Sequence, residues 1–183
     1  MKGVVFDILR DMIEEQFGLE GWNQLLEKSG SDGMYLSSES YDDGEMLTLL
    51  GVACEMTGKD QQSLLREFGR YMVTEFYSRF PVFFDNCSSL FDFLKSVDEI
   101  VHVEVLKFYP DANLPQFRYD DHDSQQLIMT YKSPRKLCHL AEGLIEGAAA
   151  HYQAPVQVSQ GACMHKGDEA CDIVIKMSGV VND

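Results

Sequence analysis

His102 stands in an apolar stretch, Ile100-Val101-His102-Val103, and about thirty residues further on the chain reads Tyr131-Lys132-Ser133-Pro134-Arg135. A neutral imidazole ligates iron readily. Tyr131, Ser133 and Arg135 place two hydroxyls and a guanidinium at alternate positions, a donor set able to hold a pair of carboxylates. Haem requires both, an axial base for its iron and partners for its two propionates. Each piece also has a plainer reading. His102 alone is an ordinary core or surface histidine, and Ser133-Pro134 alone is a helix N-cap followed by the proline that suits the first helical position.

The elements that position these residues can be read from periodicity. Val4, Val5, Ile8, Leu9, Met12 and Ile13 recur at helical spacing up to a stop at Gly18, and Trp22, Leu25 and Leu26 predict a second short helix. Asp42-Asp43 precedes a helix through Met46, Leu47, Leu50 and Cys54 that ends near Gly58. Asp60 is placed to cap a long helix through Leu64, Phe68, Met72 and Phe76, closed before Pro81. Phe80 to Phe84 reads as an aromatic loop, and Leu90, Phe91, Leu94 and Val97 begin another helix. Ile100 to Val105 carries alternating β-branched residues and is compatible with strand or helix. Phe117–Asp120 and Leu127–Tyr131 read as strands around a polar turn at 120–124, Arg135–Tyr152 as a helix, and Val156–Val158 and Ile173–Met177 as strands flanking a Gly167-Asp168 turn. Helices followed by strands with interspersed helix make an α+β chain.

The Tyr-x-Ser-x-Arg motif, with a histidine about thirty residues upstream, resembles the H-NOX (haem–nitric oxide/oxygen binding) family, the sensor domain of soluble guanylate cyclase and its bacterial relatives. The resemblance covers the whole chain, from Met1-Lys2-Gly3 to the cysteine-containing C-terminal segment. It implies a single domain over 1–183: a helical distal lobe over roughly 1–60, then a haem-ligating lobe over 61–183 with an antiparallel sheet and helices, haem b lying between them. It implies a helix around His102, with His102 as the proximal iron ligand and Tyr131, Ser133 and Arg135 holding the propionates. It places Pro115 against the porphyrin, where it distorts the macrocycle, and makes Phe76 and Leu144 haem-packing side chains. Pro110 is the nearby turn proline.

The resemblance also bears on the gas. Relatives that hold oxygen carry a tyrosine on the helix after the motif, and counting from Tyr131 its place here is Leu140. A phenol donor stabilises bound oxygen by roughly 1.5–3 kcal/mol, about ten- to a hundredfold in affinity. Val5, Leu9 and Met72, at the matching pocket positions, offer no donor either; Tyr71 and Tyr77 are the two hydroxyls on a neighbouring helix. An apolar pocket selects nitric oxide and carbon monoxide over oxygen. The implied mechanism is a population shift: nitric oxide weakens the iron–His102 bond, the haem relaxes against Pro115, and the lobes rotate. The chain carries no kinase or cyclase motif and no Gly-rich phosphate loop, so the output is a separate polypeptide; the resemblance implies a histidine kinase or a cyclic-di-GMP enzyme.

Cys138, Cys163 and Cys171 form a second constellation, the last two flanking the Gly167-Asp168 turn. Three thiolates can hold a structural zinc, as in bacterial relatives that use three cysteines and one histidine. The histidine position of that pattern is Gln160 here, and His165 or His139 is the available substitute. A thiol or zinc redox sensor in which haem is secondary is the competing function. Cys54 and Cys87 read as thiols without special roles.

Composition sets the remaining bounds. The 183 residues are 45% hydrophobic and 25% charged with a net charge of −15; phosphate-rich partners are repelled by that balance, which excludes nucleic acid and leaves room for a partner with a basic patch. Asp7, Arg10 and Asp11 interrupt any export signal at the start, no long apolar run spans a membrane, and five cysteines suit a reducing cytoplasm. No nucleophile motif supports an enzyme.

Overall fold

The apolar spacing at the start winds into α1 (Gly3–Ser29), which Gly18 interrupts. Its φ of 71° and ψ of 176° lie outside any helical region and are tolerated by glycine alone. The stop expected there is a kink between two helical segments, the second burying Trp22 and Leu25. These are features of a computed structural model that describes residues 1–179. Asp42 accepts from the Gly44 N–H to open α2 (Asp43–Thr57), and Asp60 accepts from the Ser63 N–H to open α3 (Gln61–Arg79). Gly58 closes α2 in the left-handed conformation.

Phe80–Phe84 is not a loop. Pro81 starts a short helix, α4 (Pro81–Asp85), because its missing N–H is no loss in a first turn. Then come α5 (Leu90–Ser96), a π-helical turn over Val97–Val101, and α6 (His102–Phe108). The ambiguous stretch around His102 is therefore helical. Its β-branched residues are accommodated because local propensity is a weak prior against tertiary context.

The sheet is antiparallel, ordered β1-β2-β4-β3, from β1 (Gln116–Asp123), β2 (Gln126–Lys132), β3 (Val156–Gln160) and β4 (Cys171–Met177). The first hairpin runs past the expected turn to Asp123, with a register shift between Asp120 and Asp123. α7 (Cys138–His151) lies between β2 and β3. It begins three residues later than expected, and Ser133-Pro134 is neither its N-cap nor its first position. Leu137 is the N-cap, and Lys136 before it is left-handed with φ 52°. The Ser133 hydroxyl instead accepts from the Arg135 N–H inside the loop.

Two cores form. Phe6, Leu9, Met12, Leu25, Leu50, Phe68 and Met72 build a helical one, and Leu127, Met129, Tyr131, Ile145, Ile173 and Ile175 build one beneath the sheet. α3 serves both, giving Leu64, Phe68 and Met72 to the first and Val73 to the second. It packs on α7 at very short range: a Cβ on Gly69 would stand 2.5 Å from the Leu140 carbonyl oxygen, and one on Gly143 2.2 Å from that of Arg66. The two helices run side by side in the same direction, with Arg66 paired to Glu142 and Arg70 to Glu146. No helix among the described residues is long and apolar enough to cross a membrane.

Candidate functional site

The two pieces of sequence that suggest chemistry meet through one aromatic ring. The Phe117 ring lies 5.5 Å from the His102 ring at 21° and 5.9 Å from the Tyr131 ring. Pairing of β1 with β2 sets this, because Phe117 is the cross-strand partner of Tyr131. Phe117 escapes sequence reading because its role follows from strand register, which spacing alone does not give.

His102 Nδ1 lies 3.2 Å from Asp98 Oδ1. Burial pushes the imidazole's pKa down, outweighing the upward pull of Asp98, which favours the neutral ring that can ligate a metal. Asp98 precedes His102 by four residues, a helical spacing visible in the sequence once that segment is read as helix.

Each member of the motif keeps a donor. The Tyr131 oxygen accepts the Leu137 N–H at 3.1 Å, leaving its own proton to give. Burial raises the phenol's pKa, partly offset by the neighbouring Ser133 hydroxyl, so it stays protonated. Ser133 is buried, and its oxygen takes the Arg135 N–H. Arg135 donates Nε–H to Asp43 Oδ2 at 2.8 Å and Nη2–H to the Asn113 carbonyl. Asp43, 92 residues away in the chain, also faces the Met1 ammonium at 2.9 Å, an ion pair that fastens the start of the helical core to the motif. Nothing local in the sequence marks Asp43 or Asn113 as partners of Arg135.

The α6 segment leaves apolar side chains uncovered. None of its residues is buried, nor any of the π turn, although Ile100, Val103, Leu106 and Phe108 are 51%, 45%, 41% and 75% exposed. A helix this apolar normally covers a face. His102 itself turns inward onto Phe117, and the groups on that side, an imidazole and the hydroxyl–guanidinium motif, fit a planar cofactor that carries iron and carboxylates. Pro115 lies half-buried in the extended segment before β1, and Pro110 sits in the turn after α6.

The chain matches the Haem-NO-binding family model over residues 2–160. It belongs to the H-NOX family. Its structure is similar to a crystal structure of an H-NOX protein from S. oneidensis in the Fe(II)NO state, with TM-score 0.92, 32% identity, and 98% of this chain and 100% of that chain covered. The Fe(II)CO form of the H-NOX domain from Shewanella oneidensis matches at TM-score 0.89 and 33% identity, with both chains fully covered. Unliganded Fe(II) H-NOX from K. algicida matches at 0.90 and 27%, again with both chains fully covered. No curated protein matches the chain. The α+β fold and the haem-binding gas-sensor family are thus established for it.

In this H-NOX chain Leu9 and Met72 are buried in the helical core, with Val5 and Leu140 packed against it. Phe76 and Leu144 touch both cores. Neither neighbouring tyrosine is free of other contacts. Burial, then Glu15, raises the Tyr71 pKa to about 12, and Tyr77 packs its ring on His151 and Phe84.

The three C-terminal cysteines converge. Cys163 Sγ lies 4.0 Å from Cys138 Sγ and 3.9 Å from Cys171 Sγ, all three buried. Burial pushes the Cys138 thiol up to about 12. Cys138 also shares a second group with His139 and His165, within 4.8 Å of one another, but among the described residues the two groups do not merge into one four-ligand cage. His165 Nε2 is bonded to the Lys136 carbonyl, and His139 Nδ1 to buried Glu142. The Gln160 amide nitrogen is buried without a hydrogen-bond partner. Cys54 and Cys87 lie apart from the cluster, half-buried.

The Asp43–Arg135 contact makes a pH prediction. Burial disfavours the Asp43 carboxylate, but the Met1 ammonium and Arg135 outweigh this and lower its pKa. A carboxyl lowered on folding adds stability above its unfolded value, about 4, and loses it as pH falls through the lower folded value. Asp43→Asn should therefore unfold at lower denaturant than the parent at pH 7, with the gap closing below about pH 4. Denaturation midpoints of both proteins across that range check this, and a gap that persists unchanged in acid would contradict it.

Proposed function

We propose that this H-NOX chain binds haem b between its two cores and acts as a nitric oxide sensor that signals to a separate protein. The observation that carries the reading is the continuous contact from His102 through Phe117 to Tyr131, which joins an axial base to the carboxylate-binding motif. Bound haem would supply ferrous iron, the centre at which a diatomic gas is captured. His102 would hold the iron through Nε2, and Tyr131, Ser133 and Arg135 would hold the propionates, Arg135 by a charge-assisted bond. Pro115, Phe76 and Leu144 would pack on the porphyrin.

Selectivity follows from the distal side chains. Leu140, Val5, Leu9 and Met72 have no hydrogen to donate, so a ligand that gathers negative charge, as oxygen does, gains nothing from them. Nitric oxide and carbon monoxide do not need that donor. Release of His102 would free α6, which the sheet lobe holds by few buried contacts, while Asp43–Arg135 couples the change to the helical core. A histidine kinase or a cyclic-di-GMP enzyme with a basic surface suits the acidic chain. The free thiols suit the reducing cytoplasm.

A second reading rests on the thiols. Sulfurs about 4 Å apart fit a metal–sulfur bond near 2.3 Å in tetrahedral zinc, so Cys138, Cys163 and Cys171 form a structural zinc site, completed by a fourth donor other than Gln160's amide nitrogen. Cys171 is the cross-strand partner of Tyr131, so oxidation or metal loss there would reach the haem motif directly. The protein, purified without chelator, should retain about one zinc per chain, as expected for a closed structural site, and Cys163→Ser should lose it. A metal-free parent protein would remove this reading.

His102→Gly tests the main reading. Haem content after expression should fall sharply and recover when imidazole is supplied. An unchanged ferrous spectrum without imidazole would show that another residue ligates the iron.

A further inference from the structure

The helix that carries His102 is reached through an irregularity. Leu90, Phe93 and Leu94 are the buried face of α5, and an unbroken α-helix would carry that face through Val97 to Val101. The π turn inserts one residue, closed by the His102 N–H on the Val97 carbonyl. One extra residue advances everything after it by about 100° around the axis, and the inward face moves onto His102.

The same turn carries Asp98, whose Oδ1 is 3.2 Å from His102 Nδ1. Among the described residues its only ion-pair contact is this imidazole. The His102 side chain is 15% exposed, against 40% for Asp98, so the carboxylate has solvent to stabilise its charge while the ring does not. An ionised carboxylate can only accept, so the ring proton is held on Nδ1 and Nε2 keeps its lone pair. Phe117 stacks on the ring and limits its rotation.

The geometry points to Asp98 as the positioning residue of the axial ligand, fixing the tautomer that ligates through Nε2 and raising that nitrogen's electron donation. It would thereby tune the strength of the bond between His102 and a bound iron. A carboxylate acceptor behind a ligating histidine raises its basicity and orients the ring. This inference rests on the haem-ligation reading above.

Resonance Raman spectra of the reduced, haem-loaded parent, Asp98→Asn and Asp98→Glu test it. The iron–histidine stretch should move to lower frequency in Asp98→Asn and return toward the parent value in Asp98→Glu. Transfer of haem from Asp98→Asn to apomyoglobin should be faster by on the order of tenfold. Nitrogen-15 spectra of the haem-free parent should show His102 protonated on Nδ1. An unshifted stretch in Asp98→Asn, or a haem-free His102 protonated on Nε2, would overturn the role of Asp98 while leaving ligation by His102 intact. Absence of any iron–histidine stretch in the parent would instead overturn the ligation reading, and this inference with it.

Discussion

The close crossing of α3 and α7 is the constraint on which the site depends. Gly69 and Gly143 allow the two backbones to meet where any side chain would collide with the opposing carbonyl. One helix of this pair feeds both cores, and the other follows directly from the Tyr-x-Ser-x-Arg loop. Phe76 and Leu144, one on each helix, pack against both cores. A looser crossing would separate the helical core from the sheet that bears Tyr131.

Polar contacts then tie this scaffold to the Tyr-x-Ser-x-Arg loop. Leu137 N–H on the Tyr131 oxygen fixes the start of α7 to β2, and Arg135 reaches Asp43 at the start of α2. The thiol cluster stands one strand further, Cys171 opposite Tyr131. By contrast α6 buries none of its residues in the protein. The motif is held by several elements while α6 is lightly packed, and segments with few buried contacts open at the lowest cost.

Much of this was legible in the sequence because it is local. Asp42 and Asp60 as caps, Gly58 as a stop and Gly18 as a break all act within one turn of helix. His102 and the motif were found as residue types at a spacing, and the family confirms the fold they imply. What stayed hidden depends on tertiary placement. The delayed start of α7 follows from Tyr131 accepting the Leu137 N–H, a contact across the loop. The helix at Ile100–Val105 contradicts its strand-like alternation, and the π turn that orients His102 has no compositional mark. Phe117 and Asp43 became visible only through strand pairing and a contact spanning 92 residues.

The most direct test of the central claim is the absorption spectrum of the reduced protein, first in air and then under nitric oxide. A neutral His102 opposite an apolar distal face predicts a five-coordinate ferrous spectrum that air leaves unchanged and that nitric oxide shifts at once. A stable oxygen complex would contradict selectivity by showing a donor from Tyr71, Tyr77 or water, and a colourless protein from haem-replete cells would contradict haem sensing itself.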